Sequence, residues 1–115
     1  MSTRTVTYRV EGYSIELFGT DKKGKRKRWG DKIINIYSGG NNVGQAVFTA
    51  EGEDSQDSYS ADGKIYYFAP GSQFQSVFDL IKSNIAVYFA WRPVFDSKEP
   101  NDGDAVFYTD QINKS

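Results

Sequence analysis

Thr5-Val6-Thr7-Tyr8-Arg9-Val10-Glu11-Gly12-Tyr13-Ser14-Ile15-Glu16-Leu17 carries two runs in which every second side chain is apolar. Val6, Tyr8 and Val10 alternate with Thr5, Thr7 and Arg9, and Tyr13, Ile15 and Leu17 resume the alternation with its phase shifted. A period of two puts one set on one face of a β-strand, whereas a helix needs apolar residues three and four apart. Glu11-Gly12 sits where the phase changes, so it predicts either a tight hairpin turn or a bulge.

The same signal recurs downstream. Ile33 to Tyr37 reads as a short apolar strand, and Ser38-Gly39-Gly40-Asn41-Asn42 as a turn, because Gly and Asn tolerate positive φ. Val43 to Ala50 is then its hairpin partner. Lys64 to Ala69 is a strand ended by Pro70-Gly71. Ile85 to Trp91 is the most apolar strand, expected to be central, and Pro93 closes it. Ala105 to Thr109 is the last. Residues 19–32, 51–63 and 96–104 are polar and read as loops. One segment breaks the pattern: Phe74, Val77, Phe78 and Ile81 recur at helical spacing. Ser72 with Gln75 matches a capping box, and Lys82 suits a helix C-terminus. This predicts one short helix near 73–83; the rival reading is another strand, which Val77 and Phe78 would also tolerate.

The expectation is an all-β fold, mainly antiparallel, a small β-sandwich or barrel with that one helix. It occupies residues 3–112 as a single domain, with 1–2 and 113–115 as flexible termini. Val6, Tyr8, Val10, Ile15, Leu17, Ile34, Ile36, Val47, Tyr67, Val87, Phe89, Trp91 and Phe107 are the expected core. A chain of 115 residues is long enough to bury one without staples.

Composition narrows the chemistry. The chain has no histidine and no cysteine, yet 8 Phe, 8 Tyr and 2 Trp. A Ser-His-Asp or Cys-His constellation cannot be built, nor a Cys/His zinc site, an iron–sulfur site or a disulfide. A paired-carboxylate glycosidase, with Glu16 and one of Glu51, Glu99 or Asp104, is the remaining catalytic option, but nothing fixes the separation it needs. The reading is therefore a protein that is not an enzyme. No apolar run is long enough for a membrane helix, so no membrane insertion is expected. Met1 to Thr5 carries no hydrophobic signal region, which predicts a cytoplasmic location and leaves secretion open. Asn113-Lys114-Ser115 matches a glycosylation acceptor with no evident route to the enzyme.

Net charge is −1 and names no partner, but six of the 14 basic residues lie between Lys22 and Arg28. Gly19-Thr20-Asp21-Lys22-Lys23-Gly24-Lys25 fits seven positions of the phosphate-loop pattern. Arg26 then stands where Ser or Thr must reach the magnesium. The run Lys22, Lys23, Lys25, Arg26, Lys27 and Arg28 is instead a candidate polyanion contact, with salt-sensitive binding. Its plainer reading is a solvated loop. Asp96, Glu99, Asp102 and Asp104 are candidate calcium ligands, since hard cations take oxygens. The EF-hand pattern fits neither acidic loop, and no other cofactor is expected.

Tyr66-Tyr67-Phe68 and Tyr88-Phe89 put rings on both faces of their strands, and only one face need be core. Aromatic faces with polar neighbours suit sugars and protein interfaces. The expected function is a non-enzymatic, lectin-like binding module holding carbohydrate through strand-end loops, with Trp29, Asn41, Asn42, Tyr59, Asp102 and Asp104 as candidate ligand residues. The pattern is similar in type to small calcium-dependent β-sandwich lectins. One alternative is a self-assembling or protein-interaction domain, including a homo-oligomer. Another is nucleic-acid contact through residues 22–28, which ranks below a glycan or protein partner.

Overall fold

A computed structural model describes residues 5–19, 30–50, 57–94 and 102–109. The predicted termini 1–2 and 113–115 lie outside these. Eight strands and one helix follow in order: β1 (Val6–Arg9), β2 (Gly12–Leu17), β3 (Lys32–Ser38), β4 (Asn41–Thr49), β5 (Tyr59–Ala61), β6 (Lys64–Pro70), a 3-10 turn (Gly71–Gln73), α1 (Phe74–Ile81), β7 (Val87–Pro93) and β8 (Gly103–Thr109). They form a three-stranded sheet, β1-β7-β8, and a five-stranded sheet, β2-β3-β4-β6-β5. All pairings are antiparallel except β4 with β6. The mostly antiparallel β class with one short helix is as expected.

Glu11-Gly12 is not a hairpin turn, because β1 and β2 do not pair with each other. The strand runs on and changes sheets. Val10 donates to the Val87 carbonyl in one sheet, and Glu11 donates to the Tyr37 carbonyl in the other. The phase shift in the sequence marks this crossing, since the inward side of one sheet is the opposite side of a strand carried into the other. The Glu11 carboxylate also accepts from the Gly39 amide, tying the crossing to the β3–β4 turn. That turn holds Gly39 and Gly40 at φ 60° and 81°, which glycine adopts without strain. Asn41 and Asn42 belong to β4 and not to the turn.

The polar stretch 51–63 is not loop throughout. Tyr59–Ala61 forms β5 and turns through Asp62-Gly63 into β6. That hairpin brings the chain back beside β4 in the parallel sense, so no helical crossover is needed.

The sheets face each other across Ile34, Ile36, Ala46, Phe48, Ile65 and Ala69 on one side, and Phe89 and Trp91 on the other. Phe89 stacks on Phe107 at 4.4 Å, and Tyr67 meets Phe107 edge-on at 5.1 Å. Val6, Tyr8, Val10 and Ile15 pack against this core. Leu17 does not join it, being 67% exposed at the end of β2. Val47 is buried, but in a second cluster with Ile33 and Phe68. The registers Ile33↔Val47 and Val47↔Phe68 put these three on the opposite face of the five-stranded sheet.

The helix covers the inner face near β2 and β3. Val77 and Ile81 are buried, Phe74 meets Phe48 edge-on, and Phe78 meets Tyr13 edge-on. The expected capping box is absent. Gln73 occupies the N-cap without a side-chain bond, and Gln75 donates to Asp79 one turn on. A 3-10 turn leads into the helix, which changes what the first turn needs from a cap. Lys82 does close the C-terminus and lies 3.6 Å from Asp79.

Candidate functional site

The outer face of the five-stranded sheet carries one complete cross-strand row. Ser14 lies opposite Asn35, Asn35 opposite Gln45, Gln45 opposite Tyr66, and Tyr66 opposite Tyr59. Every strand of the sheet contributes one residue. Side chains of directly opposed residues lie within reach of one another, so the row is a continuous strip of amides, hydroxyls and rings.

Its polar half is wired together. Gln45 Nε2 donates to Asn35 Oδ1 at 2.9 Å, and Asn35 Nδ2 donates to Ser14 Oγ at 3.2 Å. Ser14 Oγ lies 3.2 Å from the Tyr37 hydroxyl. Asn35 is 9% exposed, and burial of an amide demands such partners. Gln45 is half-buried. It spends one donor on Asn35, and an amide has two donors and one carbonyl oxygen.

The other half is aromatic. Tyr59 stacks on Tyr66 with centroids 4.7 Å apart and on Phe68 at 5.9 Å, the planes within about twenty degrees. Burial raises the Tyr59 hydroxyl pKa above its ordinary value, and the neighbouring Tyr66 raises it further. The Tyr59 hydroxyl therefore stays protonated and able to donate at neutral pH. Beside the row on the same face, Ile33, Val47 and Phe68 are buried. Gly30 packs there without a side chain; a Cβ on it would come 2.4 Å from the Phe48 carbonyl oxygen. The result is a half-buried strip flanked on the same face by an apolar cluster.

Of the residues singled out in the sequence, Tyr59 is in this row. Asn41 and Asn42 start β4, and in register Tyr59 is level with Gln45, further along that strand. Asp102 and Asp104 lie at the start of β8 in the other sheet, with Asp104 opposite Arg92. The set is thus split between the two sheets. Trp29, the polyanion candidates Lys22, Lys23, Lys25, Arg26, Lys27 and Arg28, and the metal candidates Asp96 and Glu99 lie outside the described residues. Among the described residues no group of three or more acidic, histidine or cysteine side chains is placed to hold a metal. Nor is any helix among them long and apolar enough to cross a membrane.

Ser14, Asn35, Gln45 and Tyr66 were not singled out as site residues. A signal for two of them was present. Asn35 interrupts Ile33-Ile34-Asn35-Ile36, and Gln45 interrupts the apolar stretch Val43-Gly44-Gln45-Ala46-Val47-Phe48. An amide inside such a run must find partners, and that they share one row depends on register.

Compared with family models, curated proteins and solved structures, the chain matches none.

Proposed function

We propose that this chain is a non-enzymatic binding module whose ligand lies along the Ser14-Asn35-Gln45-Tyr66-Tyr59 row, with carbohydrate as the ligand class. The observation that supports this is the row itself, amides and hydroxyls continuing into stacked rings on one half-open face. A sugar offers hydroxyls that both donate and accept, and a face of C–H groups that packs on a ring. Amide side chains answer the first and tyrosine rings the second. The sheet face, rather than the strand-end loops, is the ligand surface in this reading. The lack of histidine for acid–base work fits binding without turnover.

A glycan array, run with and without calcium, tests the proposal. The expected result is binding to a restricted set of glycans that Gln45→Ala and Tyr59→Ala each weaken about tenfold or more, the equivalent of about 1.4 kcal/mol. Binding that depends on calcium would bring the Asp102 and Asp104 loop into the site. Silence on the array in both conditions would remove carbohydrate from the account.

A further inference from the structure

Strand β2 is an outer strand of the five-stranded sheet; among the described residues no strand pairs with its outer edge, and the strand itself carries little of the usual protection. Its six residues are Gly12-Tyr13-Ser14-Ile15-Glu16-Leu17. Outer strands are commonly guarded by Lys, Pro or extreme shortness. Here there is no Lys and no Pro, and Glu16 is the sole charge. The other outer strand of that sheet, β5, has three residues.

The parity of the free edge follows from the hydrogen bonds. Phe18 donates to the Asp31 carbonyl at 2.8 Å, in the register that pairs Leu17 with Lys32. Alternation in an antiparallel pair then turns the N–H and C=O of Ser14 and Glu16 toward β3. Those of Tyr13, Ile15 and Leu17 point away from the sheet. Three apolar residues thus offer their backbone outward, and two of their side chains stay well exposed, Tyr13 at 41% and Leu17 at 67%.

We infer that two copies of this chain pair antiparallel through β2, about a two-fold axis at Ile15, to make one ten-stranded sheet. The register that uses the whole strand sets Ile15 against Ile15 of the second copy and Tyr13 against Leu17 of the second copy. Each of these opposed pairs exchanges two backbone hydrogen bonds. On the inner face the exposed Leu17 is covered by a tyrosine ring. On the outer face Glu16 lies opposite Ser14 of the second copy, so no two like charges meet. Phe18 lies opposite Gly12 of the second copy, which has no side chain of its own. An isologous interface requires this self-complementarity. The pairing stands whether or not the outer face binds a sugar. If it does, both polar rows end at the two-fold, since Ser14 is the β2 member of each.

Light scattering after size exclusion, with protein loaded at several hundred micromolar, reads the state directly. The expected result is a dimer that becomes a monomer in Leu17→Pro and in Leu17→Lys, with melting temperatures within a few degrees of the parent. Proline there removes an N–H that β3 does not use, which outer strands tolerate. Register is read by cross-linking, because the chain has no cysteine of its own. A mixture of Ser14→Cys and Glu16→Cys chains should form an intermolecular disulfide far more readily than either variant alone. A monomeric parent at that concentration overturns the inference. So does a dimer that both Leu17 variants leave intact.

Discussion

Gly44 shows how much can depend on a missing side chain. It sits on β4 at φ 154°, and a Cβ there would fall 2.0 Å from the Ile65 carbonyl oxygen and 2.9 Å from the Phe89 ring. Both neighbours are fully buried, so neither can give way cheaply. Gly44→Ala should cost about 3 kcal/mol, the upper end for overpacking, measured by denaturant unfolding. Tyr67 is the second residue whose environment makes a prediction. Its hydroxyl donates to Gln73 at 3.0 Å, and burial raises its pKa above the ordinary tyrosine value. The folded state therefore holds that proton more tightly than the unfolded chain does. Its contribution is complete below the ordinary value of about 10, and is lost as pH rises through the raised folded value. As pH rises above about 10, the parent should lose melting temperature faster than Tyr67→Phe. Parallel curves for the two would remove Tyr67 as the cause. Neither feature was legible beforehand in full. Tyr67 was read as core from alternation, but the need for glycine at 44 arises from the parallel approach of β6, which local sequence does not encode.

The helix is the element whose existence was clearest in the chain and whose ends were least so. Four apolar residues at helical spacing gave its buried face, and Val77 and Ile81 are indeed buried. Its start, expected near 73, falls at Phe74; what was misjudged is the cap, because Ser72 and Gln75 fit a box that a preceding 3-10 turn makes unnecessary. Its weight in stability should lie in the packed face. Ile81→Ala should cost about 3 kcal/mol, as large-to-small core changes do. Asp79→Ala, which removes an exposed 3.6 Å pair with Lys82, should cost well under 1 kcal/mol. Equal effects in chemical denaturation would mean the helix is held by its surface rather than its core. Strand β5 went unseen for a related reason: Tyr59-Ser60-Ala61 is too short to show a period, and it exists because Asp62-Gly63 turns it onto β6.

At the scale of the molecule, the class was readable and the topology was not. Alternation and glycine-rich turns establish strands, and they say nothing about which strand lies beside which. The outer-face row needs four registers at once, so Tyr59 was named from sequence as a ligand residue and Tyr66 only as one of a run of rings, while Ser14, Asn35 and Gln45 were not. The strand from Val6 to Leu17 joins the sheets because its first half pairs with β7 and its second half with β3. Its two halves find their partners at opposite ends of the chain, Glu16 with Ile33 but Val6 with Trp91. Long-range pairing of this kind is slow to form. During synthesis, β2 and β3 meet as soon as both have left the ribosome. The first strand must wait for its partner until β7 has been made. For that interval its alternating Val6, Tyr8 and Val10 are open to any passing strand, and a chaperone that shields exposed strands would find a client there.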